Sequence, residues 1–142
     1  MREIKVRGYS SEELIKESQW IEGYGVTTIE YTDGTETTHI FTPYGDYRVE
    51  KESVGQYTGR KDENGKEIYE GDIVKFLDEI TVEEKGYLDR TAIVNKIGVV
   101  TWDNEELGYN IDTKYPNEHH YLCCGEEVKV IGNIYENIDL LK

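Results

Sequence analysis

The residues best suited to chemistry lie together in one stretch, His119-His120-Tyr121-Leu122-Cys123-Cys124. Histidine and cysteine are the usual zinc ligands, and His120 precedes Cys124 by four residues. A structural zinc site wants four ligands, usually with spaced cysteines. These cysteines are adjacent, and neighbouring side chains of a strand point to opposite faces. The third histidine, His39, is distant in the chain. The same groups could make a thiolate nucleophile with a histidine base, pairing Cys123 or Cys124 with His119, His120 or His39. No helix N-terminus or oxyanion donor accompanies them. The plainer reading is a strand carrying a buried cysteine and a surface histidine.

Other constellations are weaker. Asp62-Glu63-Asn64-Gly65 faintly resembles a calcium loop, but its glycine is misplaced and position twelve from Asp62 is Ile73, not Glu. The 30 acidic residues cannot be sorted into a glycosidase pair without geometry. No phosphate loop, dinucleotide fingerprint or nucleophile elbow is present. Gln56-Tyr57-Thr58-Gly59-Arg60 mixes Tyr and Arg, which are typical interface anchors. Its preferred reading is conformational: glycine shapes the backbone and tyrosine packs. The sequence therefore assigns no catalytic, cofactor-binding or metal residue, and it predicts a protein that is not an enzyme.

The elements around these residues are mostly strands. The central run from Gly55 to Val74 reads as a strand end, an Asn64-Gly65 turn and a strand interrupted at Gly71-Asp72 by a bulge or tight bend. Near the N-terminus, Ser10 and Glu13 form a capping box with Tyr9 and Leu14 as a staple. With Leu14, Ile15, Ser18 and Ile21 on one face and Gly23 as a stop, this predicts a helix over 11–22. Val26–Thr32 and Thr35–Phe41 read as a hairpin joined by the two residues Asp33-Gly34. That turn sets Ile29 opposite Thr38 and Thr28 opposite His39. Asp78 to Asn95 reads as a long charged loop, or as a loop leading into a strand at Ala92-Ile93-Val94. Ile97–Trp102, Tyr109–Asp112 and Glu127–Tyr135 read as strands. Their order, following Glu70-Gly71-Asp72, resembles an SH3-like barrel, a likeness that carries no function.

Composition bounds the rest. The 142 residues suit one domain or two small subdomains. The 37% hydrophobic and 32% charged residues indicate an ordered but strongly solvated chain. Twelve Tyr and 14 Gly favour β-structure with tight turns. The net charge is −14, and residues 61–142 alone hold 9 basic and 19 acidic residues, a net of −10. That sign opposes nucleic-acid binding, which needs cations at phosphates. It suits solubility and a basic protein partner. Adjacent cysteines without framework spacing fit a reducing cytoplasm. The N-terminus shows no apolar signal segment, and no apolar run is long enough for a membrane.

Taken whole, the chain resembles the YopX family of phage and prophage proteins. The likeness begins at Arg2-Glu3-Ile4-Lys5-Val6-Arg7. Its most specific part is Gly55-Gln56-Tyr57-Thr58-Gly59, continuing through Asp62-x-Asn64-Gly65-Lys66-Glu67-Ile68-Tyr69-Glu70-Gly71-Asp72-Ile73-Val74. It closes with Val130-Ile131-Gly132-Asn133-Ile134-Tyr135-Glu136-Asn137. The resemblance implies a phage-encoded, cytoplasmic setting and no known activity, so it transfers no site residues.

The expected architecture is mainly β, an α+β arrangement of two parts. Residues 1–60 form a helix-plus-ribbon subdomain, and 61–142 an SH3-like β-barrel. The expected function is non-enzymatic protein interaction, with a host or phage protein as partner; a nucleic-acid-associated small barrel is the alternative. A homo-oligomer is also expected. The Val26–Phe41 ribbon, with Ile29 and Ile40, is its interface, because a thin two-stranded ribbon needs cover.

Overall fold

The computed structural model describes residues 3–14, 18–84, 86–113, 118–122 and 127–142. In chain order the strands are β1 (Val6–Tyr9), β2 (Trp20–Gly23), β3 (Gly25–Glu30), β4 (Glu36–Thr42), β5 (Gly45–Val49), β6 (Gly55–Lys61), β7 (Glu67–Tyr69), β8 (Asp72–Glu84), β9 (Tyr87–Asp103), β10 (Gly108–Thr113), β11 (Glu118–Tyr121) and β12 (Val128–Asn133). They form three antiparallel sheets, ordered β2-β1-β6-β7, β3-β4-β5 and β11-β10-β9-β8-β12. Among the described residues there is no α-helix; 3-10 turns lie at Lys51–Ser53 and Ile138–Leu141.

The expected α+β class and N-terminal helix are therefore wrong: the chain is all-β. The segment read as a helix is the connection of the β1–β2 hairpin together with most of β2, and the hairpin's ladder runs from Tyr9↔Trp20 to Val6↔Gly23. Residues 15–17 of that segment lie outside the described residues. Ser10 does organise the backbone locally. Its hydroxyl donates to the Glu12 carbonyl at 2.7 Å and accepts from the Glu12 amide at 3.2 Å. That is a Ser turn, the alternative such residues offer to a helix start. Gln19 then takes both backbone groups of Leu14, accepting from its amide at 3.0 Å and donating to its carbonyl at 3.1 Å. Ile21 decides the outcome: as a strand residue it is buried with Val6, Ile40 and Val49. Long-range burial outweighs a local helix signal.

The two glycine turns share one geometry. Gly34 N donates to Tyr31 O, and Tyr31 N to Thr35 O; Gly65 N donates to Asp62 O, and Asp62 N to Lys66 O. Each is thus a three-residue loop whose glycine takes positive φ, +88° and +81°. A two-residue type I′ turn needs positive φ at both positions, and neither Asp33 nor Asn64 has it. The first hairpin is consequently one residue out from the expected register: Ile29 faces Thr37, Thr28 faces Thr38 and Thr27 faces His39. Ile40 is fully buried, whereas Ile29 is exposed.

The expected SH3-like barrel also gives way. The C-terminal half is a five-stranded sheet, and no ladder joins its edge strands β11 and β12 among the described residues. Its core is Ile68, Val74, Phe76, Val100, Ile111, Leu122, Val128 and Val130. The segment expected as a loop is instead a projecting hairpin arm. β8 and β9 stay paired from Leu77↔Asn95 to Glu84↔Tyr87. β12 pairs with β8 only over Asp72–Phe76, and β10 with β9 only over Val99–Asp103, so the arm has two strands. Ile80, Val82, Ala92 and Val94 share its partly buried face, where Asp78 bonds Lys96 at 2.6 Å. The surrounding charge masks this period-2 pattern in the sequence.

Candidate functional site

The seam between the sheets is built on the Tyr69–Asp72 turn, where the chain leaves β7 for β8. Gly71 has φ +91°, which a residue with a side chain rarely adopts. Its amide donates to Val100 O and its carbonyl accepts from Ile134 N, both at 2.9 Å. Asp72 is 1% exposed. Its Oδ2 accepts from the Tyr69 amide at 2.8 Å, and its Oδ1 accepts from Arg7 Nη2 at 2.6 Å. The Arg7 guanidinium lies 4.8 Å from the Trp20 ring and 4.7 Å from the Tyr69 ring. Burial pushes the Asp72 carboxyl above its ordinary range, against the opposing pull of Arg7 and the Tyr69 amide. Burial likewise pushes the Tyr69 phenol up, with Glu22 and Glu67 adding to it. Arg7 Nε and Tyr69 Oη are buried without hydrogen-bond partners among the described residues.

The last block of the chain closes over this turn. Trp20 Nε1 donates to Glu136 at 2.6 Å, and Tyr9, Trp20 and Tyr135 contact one another at ring distances of 5.1–6.1 Å. Asn133 accepts from the Glu136 amide at 2.8 Å through its side chain. A cavity of about 280 Å³ borders Arg7, Trp20, Glu70, Trp102 and Tyr135. A second, of about 540 Å³, borders Arg7, Glu22, Lys66, Glu67 and Glu136. Trp102, Ile134 and Tyr135 are each more than a third exposed at this seam.

The sequence's other candidates fall elsewhere. Cys123, Cys124 and the His119 side chain lie outside the described residues. His120 stands on β11 opposite Ile111, with its ring 4.9 Å from Phe76. His39 belongs to a different sheet, on β4, where it meets Asp46 at 3.0 Å and Thr37 at 2.8 Å. Asp62 is buried, accepting backbone amides of Asn64, Lys66 and Val130 at 2.8–2.9 Å, which leaves it poorly placed for a cation. Among the described residues no group of three or more His, Cys, Asp or Glu is arranged to hold a metal. Tyr57 is buried against Tyr69 with Lys5 over its ring at 5.4 Å, while Arg60 is exposed.

Sequence reasoning passed over Arg7, Trp20 and Trp102. A signal for Arg7 existed. Lys5, just before β1, and Arg7 and Tyr9 on it alternate along the chain and so share a face. There they meet Glu67 at 2.6 Å, Asp72 at 2.6 Å and the Tyr135 ring at 5.1 Å.

An all-β chain whose first, central and last blocks interlock at one buried ion pair is the structural class these observations define. The chain belongs to the YopX family: the family model described as YopX protein matches residues 8–142. The chain is also similar to the protein of the structure titled "Crystal structure of protein EF1440 from Enterococcus faecalis", at 18% identity and a TM-score of 0.48, with 100% of each chain covered. No curated protein matches. No helix among the described residues is long and apolar enough to cross a membrane.

Proposed function

We propose that this YopX-family chain is a non-enzymatic protein-interaction protein of phage or prophage origin, working in the host cytoplasm. One observation supports this above others: the signature's two buried aspartates are spent internally. Asp72 is taken by Arg7 and the Tyr69 amide, and Asp62 by three backbone amides. What the seam offers to solvent is Trp102, Ile134 and Tyr135. Aromatic side chains of this kind anchor protein interfaces. The net charge of −14 favours a basic partner and disfavours nucleic acid. Self-association is part of the proposal, supported by the outer edge of β3, which is unpaired among the described residues, and by exposed Val26, Ile29 and Tyr31.

The test is capture from host cells carrying the phage, followed by reconstitution with the purified captured protein. The proposal expects a stoichiometric complex at micromolar concentration that a Trp102→Ala, Tyr135→Ala double variant weakens at least tenfold. A complete failure to form any complex, or turnover of a substrate by the purified chain, would refute it.

A further inference from the structure

We propose that the smaller seam cavity is a receptor slot for one lysine or arginine side chain of a partner protein; the inference rests on the interaction reading above and gives it a chemistry. Size limits the occupant. At about 280 Å³ the cavity falls at the lower edge of small-molecule sites and suits a single long side chain. The aromatic walls come from three separated parts of the chain: Trp20 of β2, Trp102 of β9, and Tyr135 beyond β12. The Trp20 ring already faces Arg7 at 4.8 Å, so the incoming cation is assigned to Trp102 and Tyr135. Aromatic faces attract ammonium and guanidinium groups, more strongly where water is excluded.

Charge selects the same occupant. Glu52 and Glu70 line the slot. Burial holds the half-buried Glu70 carboxyl above its ordinary range, and an incoming cation would relieve that penalty. The slot's own cation, Arg7, is committed to Asp72 at 2.6 Å. An anionic ligand would meet both glutamates and a chain of net −14. Partner specificity then comes from a basic residue presented at the slot, with long-range attraction from the surrounding acids.

The experiment titrates short alternating Lys-Gly, Arg-Gly, norleucine-Gly and Glu-Gly peptides into the full chain, following the two tryptophan indole N–H resonances by NMR. Lys-Gly or Arg-Gly should shift both resonances saturably, and the other two peptides should not. Glu70→Gln should weaken binding about fivefold, the scale of one cation–carboxylate or cation–π contact. Trp102→Ala should do likewise on the remaining indole, and Glu30→Gln, on β3, should have no effect. Glu70→Gln is nearly isosteric, and the same spectra report whether each variant is folded. Absence of a saturable shift with either cationic peptide would overturn the slot. So would equal weakening by Glu30→Gln, which would mean general charge attraction only. A reconstituted partner bound equally well by the Glu70→Gln and Trp102→Ala variants would also overturn it while leaving the interaction reading standing; failure of every partner complex would remove that reading itself.

Discussion

Glu70 sits inside the family signature and within the Tyr69–Asp72 turn, yet its carboxyl makes no ion pair among the described residues. It is half-buried, and burial raises its pKa above the ordinary 4.5. The sign of its effect on stability follows by linkage. A carboxyl with a raised folded pKa binds its proton more tightly when folded, so its contribution is fully present below the unfolded pKa and is lost as pH rises through the folded one. At neutral pH the ionised Glu70 therefore costs stability. Glu70→Gln should be more stable than the parent in urea melts at pH 7, and the gap should close as pH falls below 4.5. A gap that is constant with pH would show that ionisation is not its cause. Asp62 and Asp72 contrast with Glu70. Their carboxylates meet backbone amides, and in Asp72 also a guanidinium, so they are parts of the fold. The sequence could show that these acids cluster around turns. It could not show that Asp62 also reaches Val130, because 68 residues separate them.

At the scale of elements, strands with strong period-2 patterns were legible: Ile97–Trp102 lies in β9, Tyr109–Asp112 in β10 and Val128–Asn133 forms β12. Elements whose local chemistry competed with distant burial were not. The capping residues around Ser10 suggested a helix, but Ile21 gains a core as a strand. The Asp33-Gly34 and Asn64-Gly65 dipeptides marked turns correctly but not loop length, since one glycine at positive φ serves a three-residue loop equally well. The Gly71 turn carries a prediction. A valine there must adopt φ near +91°, at a strain of roughly 1–3 kcal/mol, although its Cβ would find Ile134 at an ordinary 3.6 Å. Gly71→Val should lower the unfolding free energy measured in urea by that amount, and Gly71→Ala should do so through the same φ; an unchanged free energy would contradict the turn's role. The β8–β9 arm carries another. Two strands without a third are marginal. Amides of Leu77–Val82 should therefore exchange with solvent faster than those of Ile73–Phe76 in the same strand. Equal protection along β8 would mean that the arm is covered.

At the scale of the whole molecule, the described residues form two cores under three sheets. One joins Val6 and Ile21 to Ile40 and Val49; the other joins Ile68 to Val74, Phe76 and Val128. Ile40 belongs to the first core, so a charged residue there would unfold the chain instead of reporting on assembly. Ile29 is the proper probe. Light scattering over a dilution series should show an oligomer that Ile29→Lys dissociates, and a monomer mass at every concentration would remove self-association from the account. The central claim is that the family signature is a conformational lock, with Arg7 and Asp72 tying β1 to the turn between β7 and β8. A double-mutant cycle with Arg7→Met, Asp72→Asn and both together tests this most directly, read by urea unfolding. Arg7→Met should cost about 3–5 kcal/mol, because it strands a buried carboxylate. The double variant should recover part of that loss, a coupling of about 0.5–3 kcal/mol. Variants as stable as the parent that had nonetheless lost partner binding would contradict the lock and make the pair a working part of the binding site.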